Sequence, residues 1–462
     1  MKRRHFIQSL GLSGLFTSLT CSTTQAAILK RPSALKDGKK QVCSLTRRVF
    51  EVGKPMIIEV KAPKDFIQKI RLIDIKSDDG EYAFSPQKRA KFEIKDDRIL
   101  ISYIFPKEQM YSIFFYPIGK ETSGKRKGKN KLPMEYQSVY ALEGDLYKLR
   151  PFKGDVHMHS RFSDGRNFIE EMGIKCLELG FGFQALSDHR TNKGAKLLCE
   201  KFNALPISMR CFVAEECHKA RPHIHSFGAS ECITDYIAAN QDAFDARALE
   251  IVETLPDGLS KEEALAVAKS EAEFEIIKKF GGLSGLNHPF WRMGERSIHL
   301  TKRVVEVLCK RHKFDYFELV NSSCGDDSSD LAIAALFEYG CNDMVCLATS
   351  DAHSKEKLGA GYTMVFASSN SWEDIRNSIM DKKSVAVEVF DKTLPRIFGK
   401  IRYMQYAYFL YQQYFPIYDE ICKQQAKLLG KCIKDKYSEK SKKALADKSE
   451  ELSLFVKDFF GA

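Results

Sequence analysis

Residues 40–118 alternate short β-branched or aromatic runs with polar turns. The runs fall at 55–61, 67–75, 90–94, 99–105 and 111–116, and turns such as Ser77-Asp78-Asp79-Gly80 and Lys95-Asp96-Asp97 separate them. Runs of this length, bounded this way, predict strands, and their number predicts a small β-sandwich. This β-rich accessory region, ending in a basic linker, is placed at 35–150. From residue 152 the pattern changes. Residues 168–179 carry apolar side chains at helical spacing, stop at Gly180, and are followed by the apolar run 183–186. Residues 262–280 repeat the arrangement, stopped by Gly281-Gly282 ahead of the run 283–286. Alternation of this kind predicts an α/β domain with a parallel sheet or barrel, spanning 151–395. Next comes an aromatic segment with Tyr403, Tyr406, Tyr408, Phe409, Tyr411, Tyr414, Phe415 and Tyr418, and then charged helices. This region, 396–462, predicts a helical C-terminal extension packed on the barrel. The rival reading is an exposed aromatic platform for carbohydrate or a membrane surface.

Composition changes this picture little. Of 462 residues, 44% are hydrophobic and 29% charged, the balance of a globular protein. Mean hydropathy is −0.31. No apolar run approaches the roughly 20 residues of a spanning helix, so no transmembrane segment is expected. Net charge is +11, and +8 once the three cations of residues 1–26 are set aside. The balance suits an anionic partner but is diffuse. Its densest run, 120–131, reads as a solvated loop, and no motif predicts binding to a nucleic acid polymer.

The first 26 residues read as an export signal. Lys2, Arg3 and Arg4 precede a mildly apolar stretch at 6–19, and Thr24-Gln25-Ala26 supplies a small-residue cleavage site. Arg3-Arg4-His5-Phe6-Ile7 resembles a twin-arginine signal, although Lys2 stands where Ser or Thr is usual; an ordinary secretory signal is the alternative. A periplasmic or extracellular address follows from either. Thirteen cysteines are present, without a Cys-x-x-Cys pair. Several, including Cys176, Cys211 and Cys309, sit in apolar runs as small hydrophobes, so few or no disulfides are expected.

The chemistry concentrates in five short segments holding six of the eleven histidines. They are His157-Met158-His159 with Asp164 close behind, Ser187-Asp188-His189, Glu215-Glu216 with His223, Asn287-His288-Pro289, and Asp351-Ala352-His353. Residues two apart on a strand face the same side, so His157 and His159 can reach one ion, as can Asp351 and His353. Imidazole and carboxylate together suit zinc, manganese or iron. Four of the five segments fall at or just past the end of a predicted strand, the edge that carries the site in α/β barrels.

The run 154–165, GDVHMHSRFSDG, followed by ALSDH at 185–189, resembles the opening of the PHP (polymerase and histidinol phosphatase) superfamily. The resemblance continues in order through 213–216 with His223, 286–289, FELVN at 317–321, and TSDAHS at 349–354 with Leu358-Gly359, covering roughly 152–390. It implies a distorted (β/α)7 barrel and a site of two or three divalent ions (Mn, Zn or Fe) that hydrolyses phosphoesters. Carried over by position, one ion would be held by His157, His159, Glu216 and Asp351. A second would share Glu216 and take His223 and His288. A third would use Asp164, His189 and His353; many relatives have His where Asp164 stands. Glu216 is preferred to Glu215 by the family's acidic run, and His223 to His225 by its spacing to Gly228. His218 and His225 are then neighbours, and His299 and His312 surface residues.

The resemblance implies attack on phosphorus by metal-activated hydroxide, with Glu216 at the metal centre and, if the third site is empty, His353 or Asp164 as the proton source for the leaving group. Asp188 would orient a ligand or cap its loop. Arg161, Arg190 and Arg292, with Lys193 and Arg221 nearby, would bind phosphate oxygens. The resulting expectation is an exported phosphoesterase acting on a small anionic phosphomonoester or phosphodiester. The alternatives are an amidohydrolase-like hydrolase of an ester, amide or phosphonate, and a non-catalytic binding protein with a structural metal site.

Overall fold

The computed structural model describes residues 42–78, 88–117, 135–217, 222–292, 299–390 and 395–461. The stretch 1–26 expected to be an export signal, the basic run at 120–131, His218 and Arg221 lie outside the described residues.

Nine strands form the N-terminal region: β1 (Ser44–Leu45), β2 (Val49–Glu51), β3 (Pro55–Lys61), β4 (Ile70–Ser77), β5 (Lys88–Arg89), β6 (Lys91–Lys95), β7 (Arg98–Ile104), β8 (Gln109–Pro117) and β9 (Glu135–Leu142). They make a four-stranded sheet, β1-β3-β7-β6, and a five-stranded sheet, β2-β9-β8-β4-β5. Alternation decides which side chains enter the shared core: Ile58 and Val60 of β3 are buried, whereas Ile57, just before them, is exposed. Phe50, Ile73, Ile101 and Phe115 complete that core. The run 67–75 is not one strand. Lys64–Lys69 is a short helix after Pro63, with Phe66 and Ile67 buried, and the strand begins at Ile70.

Ten strands form the second sheet: β10 (Arg150–Asp155), β11 (Phe181–Leu186), β12 (Arg210–Cys217), β13 (Ile224–Phe227), β14 (Leu283–Leu286), β15 (Tyr316–Asn321), β16 (Cys346–Thr349), β17 (Gly361–Ala367), β18 (Ser384–Glu388) and β19 (Arg396–Phe398). Their order is β16-β15-β14-β13-β12-β11-β10-β17-β18-β19. This α/β fold is a curled, mixed sheet and departs from a regular parallel barrel. β13 runs antiparallel to β12 and β14, and β17 antiparallel to β10 and β18. The link from Cys217 to Ile224 is too short for the dozen-residue crossover that a parallel neighbour needs. The curl brings β16 against β17 without a shared ladder. Instead Thr363 Oγ1 accepts from Ala348 N at 3.0 Å and donates to Ala348 O at 2.9 Å.

Helices pack on the outer face of this sheet. Lys261–Lys279 starts with a reciprocal cap, Ser260 Oγ accepting from Glu263 N and Glu263 Oε2 from Ser260 N. Beyond β19 lie helices Ile401–Gln413, Phe415–Lys434 and Glu439–Phe460. Their aromatic side chains are interior, which removes the platform reading: Tyr403, Tyr406, Phe409, Tyr414, Phe415 and Tyr418 are all buried. The Tyr406 ring lies 5.0 Å from Tyr140 of β9 and 5.6 Å from Phe366 of β17, so this helix fills the seam between the two sheets. The twelve cysteines among the described residues are all free. No described helix is long and apolar enough to cross a membrane.

Candidate metal centre

The ends of β10, β11, β12, β14 and β16, together with the start of β13, deliver nine histidine and carboxylate side chains to one rim of the curled sheet. Glu216 stands at their centre and is 1% exposed. Its Oε1 lies 3.1 Å from His223 Nδ1 and 3.1 Å from His288 Nε2, and accepts from Asn287 Nδ2 at 2.9 Å. Its Oε2 lies 3.2 Å from His157 Nε2, 3.4 Å from His159 Nε2 and 3.1 Å from His189 Nδ1. Asp351 Oδ1 closes the group, 3.5 Å from His157 Nε2 and 3.0 Å from His159 Nε2. On the outer side Asp164 Oδ2 is 3.5 Å from His189 Nε2 and 3.2 Å from His353 Nε2, with Oδ1 3.7 Å from His159 Nδ1. Exposure is graded across the centre: His157 and His159 are fully buried, whereas the side chains of His353 and Asp164 are 40% and 53% exposed.

These donors fit divalent cations. His157 Nε2, His159 Nε2, Glu216 Oε2 and Asp351 Oδ1 are buried and make no hydrogen bond. Stranded polar atoms of this kind cost about 1–3 kcal/mol each unless something else satisfies them. Their mutual separations of 3.0–3.5 Å match the edges of a coordination polyhedron. Ligand bonds of about 2.0–2.2 Å at right-angled to tetrahedral spacing give edges of about 2.8–3.6 Å. Without a cation the same groups share protons. Although burial opposes it, Glu216 and Asp351 raise His157 well above the usual imidazole range. Against the same opposing effect of burial, His157 holds Glu216 well below the usual carboxylate range. Asp164 raises His353 to about 9.

Local structure decides the choices the sequence left open. Glu215 faces away from the centre: its oxygens accept from Ile233 N at 2.8 Å and Thr234 N at 3.2 Å, capping the helix Ile233–Ala239. Asp188 accepts from Ser160 N at 2.7 Å, Ser160 Oγ at 2.7 Å and Ser163 Oγ at 2.8 Å, so it fixes the loop that carries Asp164. His225 is a neighbour, hydrogen-bonded to Tyr316, and burial together with His157 lowers it to about 3. The spacing from His223 to Gly228 has a packing cause. Gly228 adopts φ +82°, and a Cβ there would lie 1.9 Å from the Trp372 ring.

One expectation fails and one residue was overlooked. His299 is not on the surface: it is 3% exposed, its ring 4.4 Å from that of His223, and its Nε2 accepts from His223 N at 3.2 Å. Trp291 covers this side, 5.5 Å from the His288 ring. Nothing in the spacing of His299 signals its position. Arg292 is exposed and paired with Asp327 at 2.9 Å, so its guanidinium is already engaged. The overlooked residue is Glu318, buried behind His157; it sits in the FELVN run, but no second ligand-type residue marks it. Arg161 is exposed, donates from Nε to Arg166 O at 2.9 Å and lies 4.2 Å over the Phe168 ring. Arg190 is exposed, at φ +58°, and its backbone N donates to Glu216 O at 3.0 Å. Lys193 is exposed at the start of its helix, and His312 is exposed at φ +48°.

Residues 341–383 match the family model described as PHP-associated. A stretch of 51 residues is 44% identical to the DNA polymerase/3'-5' exonuclease PolX of Bacillus subtilis, covering 11% of this chain and 9% of that protein. The chain thus spans about a tenth of the length of the curated relative it matches. A two-domain protein from Bacteroides vulgatus, described as containing a predicted PHP-like metal-dependent phosphoesterase, is 17% identical over 52% of this chain and 65% of that one, with a TM-score of 0.37. A candidate metal-dependent phosphoesterase from Bifidobacterium adolescentis is 16% identical over 44% of this chain and 88% of that one, with a TM-score of 0.31.

Proposed function

We propose that this chain, whose barrel is of the PHP superfamily, is an exported metal-dependent hydrolase of small phosphomonoesters or phosphodiesters. The observation that carries the reading is Glu216, a buried carboxylate whose two oxygens face two separate histidine groups. Such a carboxylate is suited to be shared between neighbouring cations. His157, His159, Glu216 and Asp351 would hold one ion, Glu216, His223 and His288 a second, and Asp164, His189 and His353 a third. Nitrogen and oxygen donors of this kind suit manganese, zinc or iron. Divalent ions there would supply Lewis acidity, making water acidic near neutral pH and offsetting charge on phosphoryl oxygens.

The remaining roles belong to the chain. His353 and Asp164 lie on the solvent-facing side; where no third ion is held, His353, kept protonated by Asp164, is placed to hand a proton to the departing oxygen. Arg161 and Arg190 flank the same segments and favour an anionic substrate over an amide or neutral ester. Arg292, tied to Asp327, is the weakest of the three candidates. The basic residues and apolar stretch at 2–19 support the export reading.

The test is to purify the protein, measure bound metal and screen phosphomonoesters, phosphodiesters, phosphonates, amides and a DNA oligonucleotide with manganese, zinc or iron. His157→Ala and Glu216→Ala should each lose all turnover and at least one equivalent of metal. Full turnover by a metal-stripped preparation would exclude the proposed chemistry. Salt-sensitive polymer binding that survives both substitutions, without hydrolysis of any compound, would favour the binding-protein reading. Cell fractionation with Arg3 and Arg4 replaced by lysine tests the address: the protein should then stay in the cytoplasm.

A further inference from the structure

We infer that Glu318 is the positioning residue of this centre, holding His157 and His288 in register so that both present their Nε2 atoms inward. This rests on the metal centre proposed above and assigns a role to a residue outside the nine ligand positions.

β15 delivers none of the nine ligands, yet it lies between β14 and β16, which deliver three. Its contribution is a carboxylate that is 2% exposed. Oε1 of Glu318 lies 2.7 Å from His157 Nδ1 and accepts from the Thr349 hydroxyl. Oε2 accepts from His288 N at 2.7 Å and from Asn321 Nδ2 at 3.1 Å. Four donors from the ends of β10, β14, β15 and β16 therefore converge on two oxygens. Each donor belongs to, or adjoins, a segment that carries a ligand: Thr349 precedes Asp351, and Asn321 also donates to Asp351 Oδ2 at 3.2 Å.

The chemistry follows from donor counting. A neutral imidazole that donates from Nδ1, the form a metal ligand needs, presents Nε2 as a lone pair. His157 Nε2 is the atom that points toward Glu216 and Asp351 and has no hydrogen-bond donor of its own. A carboxylate accepts on both oxygens, whereas an amide of the same shape accepts on one and donates from the other. In Glu318→Gln, one of two buried donors, His157 Nδ1–H or His288 N–H, must face an NH2 group. The penalty is paired: either the His288 segment shifts, or the His157 ring turns and withdraws Nε2.

The experiment uses the full-length protein with zinc as the probe. Chelator competition should show zinc affinity reduced about 10- to 100-fold in Glu318→Gln, the usual effect of losing an outer partner of a ligating histidine. Glu318→Asp, which keeps both acceptor oxygens, should lie between the two. Nitrogen-15 spectra of histidine-labelled, zinc-loaded protein should show a protonated Nδ1 on His157 that shifts or vanishes in Glu318→Gln. Thermal unfolding of the metal-free variants separates folding from positioning. Should Glu318→Gln not fold, Glu318→Asp carries the affinity and tautomer readings. Unchanged affinity and an unchanged His157 signal in the variants, with normal zinc uptake by the parent, would overturn the role of Glu318 alone. Failure of the parent to take up zinc, manganese or iron would overturn the centre itself, and this inference with it. Normal uptake without phosphoester hydrolysis would remove only the proposed reaction.

Discussion

Lys153 Nζ lies 2.8 Å from each carboxylate oxygen of Asp419, and the pair joins β10, the strand that leads to His157, to a C-terminal helix. The ammonium also donates to Leu179 O at 2.8 Å and lies 4.5 Å over the Phe415 ring. Lys153 is 4% exposed and Asp419 37%, so the lysine depends on its partner more than the aspartate does. The C-terminal helices are therefore tied to the ligand-bearing strand and do not form a detachable tail.

Removing the carboxylate strands a buried charge. Asp419→Ala should destabilise the protein by about 3 kcal/mol, within the range for breaking one side of a buried pair. Lys153→Met, which fills the space with an apolar chain, should cost clearly less. Denaturant unfolding of the three proteins checks the order. Equal stability of Asp419→Ala and the parent would show that solvent already compensates the lysine.

The adjacent carboxylates of β12 should separate fold from chemistry. Glu215→Ala removes both acceptors of the helix cap and should destabilise by about 1–3 kcal/mol, because buried N–H groups lose their partners. Its metal content should not change. Glu216→Ala should instead lose metal, and its metal-free stability should fall as well, because buried His157 loses the carboxylate that pairs with it. Metal analysis beside thermal unfolding gives both numbers from one preparation. Loss of metal in Glu215→Ala, with the helix intact, would contradict the division.

Much of the candidate site was legible because strand alternation constrains it. His157 and His159 share a face by period two, and so the pair could be assigned to one ion before any coordinates. The Glu215–Glu216 choice is likewise one of alternate faces, although the cap on Ile233 could not be read locally. What stayed hidden was made by tertiary contact. His299 meets the centre only through its contact with His223, and Glu318 sits on a strand whose apolar pattern marks it only as buried. In the fold, alternation of helix and strand identified the α/β sheet. The reversed strand β13 was not visible, because four apolar-to-polar residues carry no sign of direction. The short helix Lys64–Lys69 was missed for a related reason: Phe66 and Ile67 satisfy a strand pattern and one helical turn equally well.

Closure of the curl should depend on one hydroxyl. Thr363→Val keeps the β-branched shape but strips Ala348 of both of its contacts with Thr363 Oγ1. A buried backbone N–H left without an acceptor costs about 1–3 kcal/mol, and the loss should appear in denaturant unfolding. Faster hydrogen exchange at Ala348 in the variant would locate the effect at this seam. Thr363→Ser should restore most of the stability; if valine and serine behave alike, the hydroxyl does not close the sheet.

The outer histidine gives the centre a pH signature whose sign can be worked out. In the metal-free protein Asp164 raises His353 to about 9. An unfolded histidine titrates near about 6.5. A raised pKa means that the folded chain holds the proton more tightly. The resulting stabilisation is fully present below about pH 6.5 and is lost as pH rises through about 9. A cation needs the neutral ring, so binding at Asp164, His189 and His353 must expel that proton. Near neutral pH, zinc binding should therefore release a proton from His353, and the release should fade above about pH 9. His157, also raised, adds to the release and is the reason a variant is needed. Titration calorimetry in buffers of different ionisation heat counts the protons. His353→Gln should release about one fewer per protein near pH 7.5 and should flatten the metal-free stability profile between about pH 6.5 and 9. An unchanged proton count would mean that the outer group binds no cation, leaving the buried side of the centre to act alone.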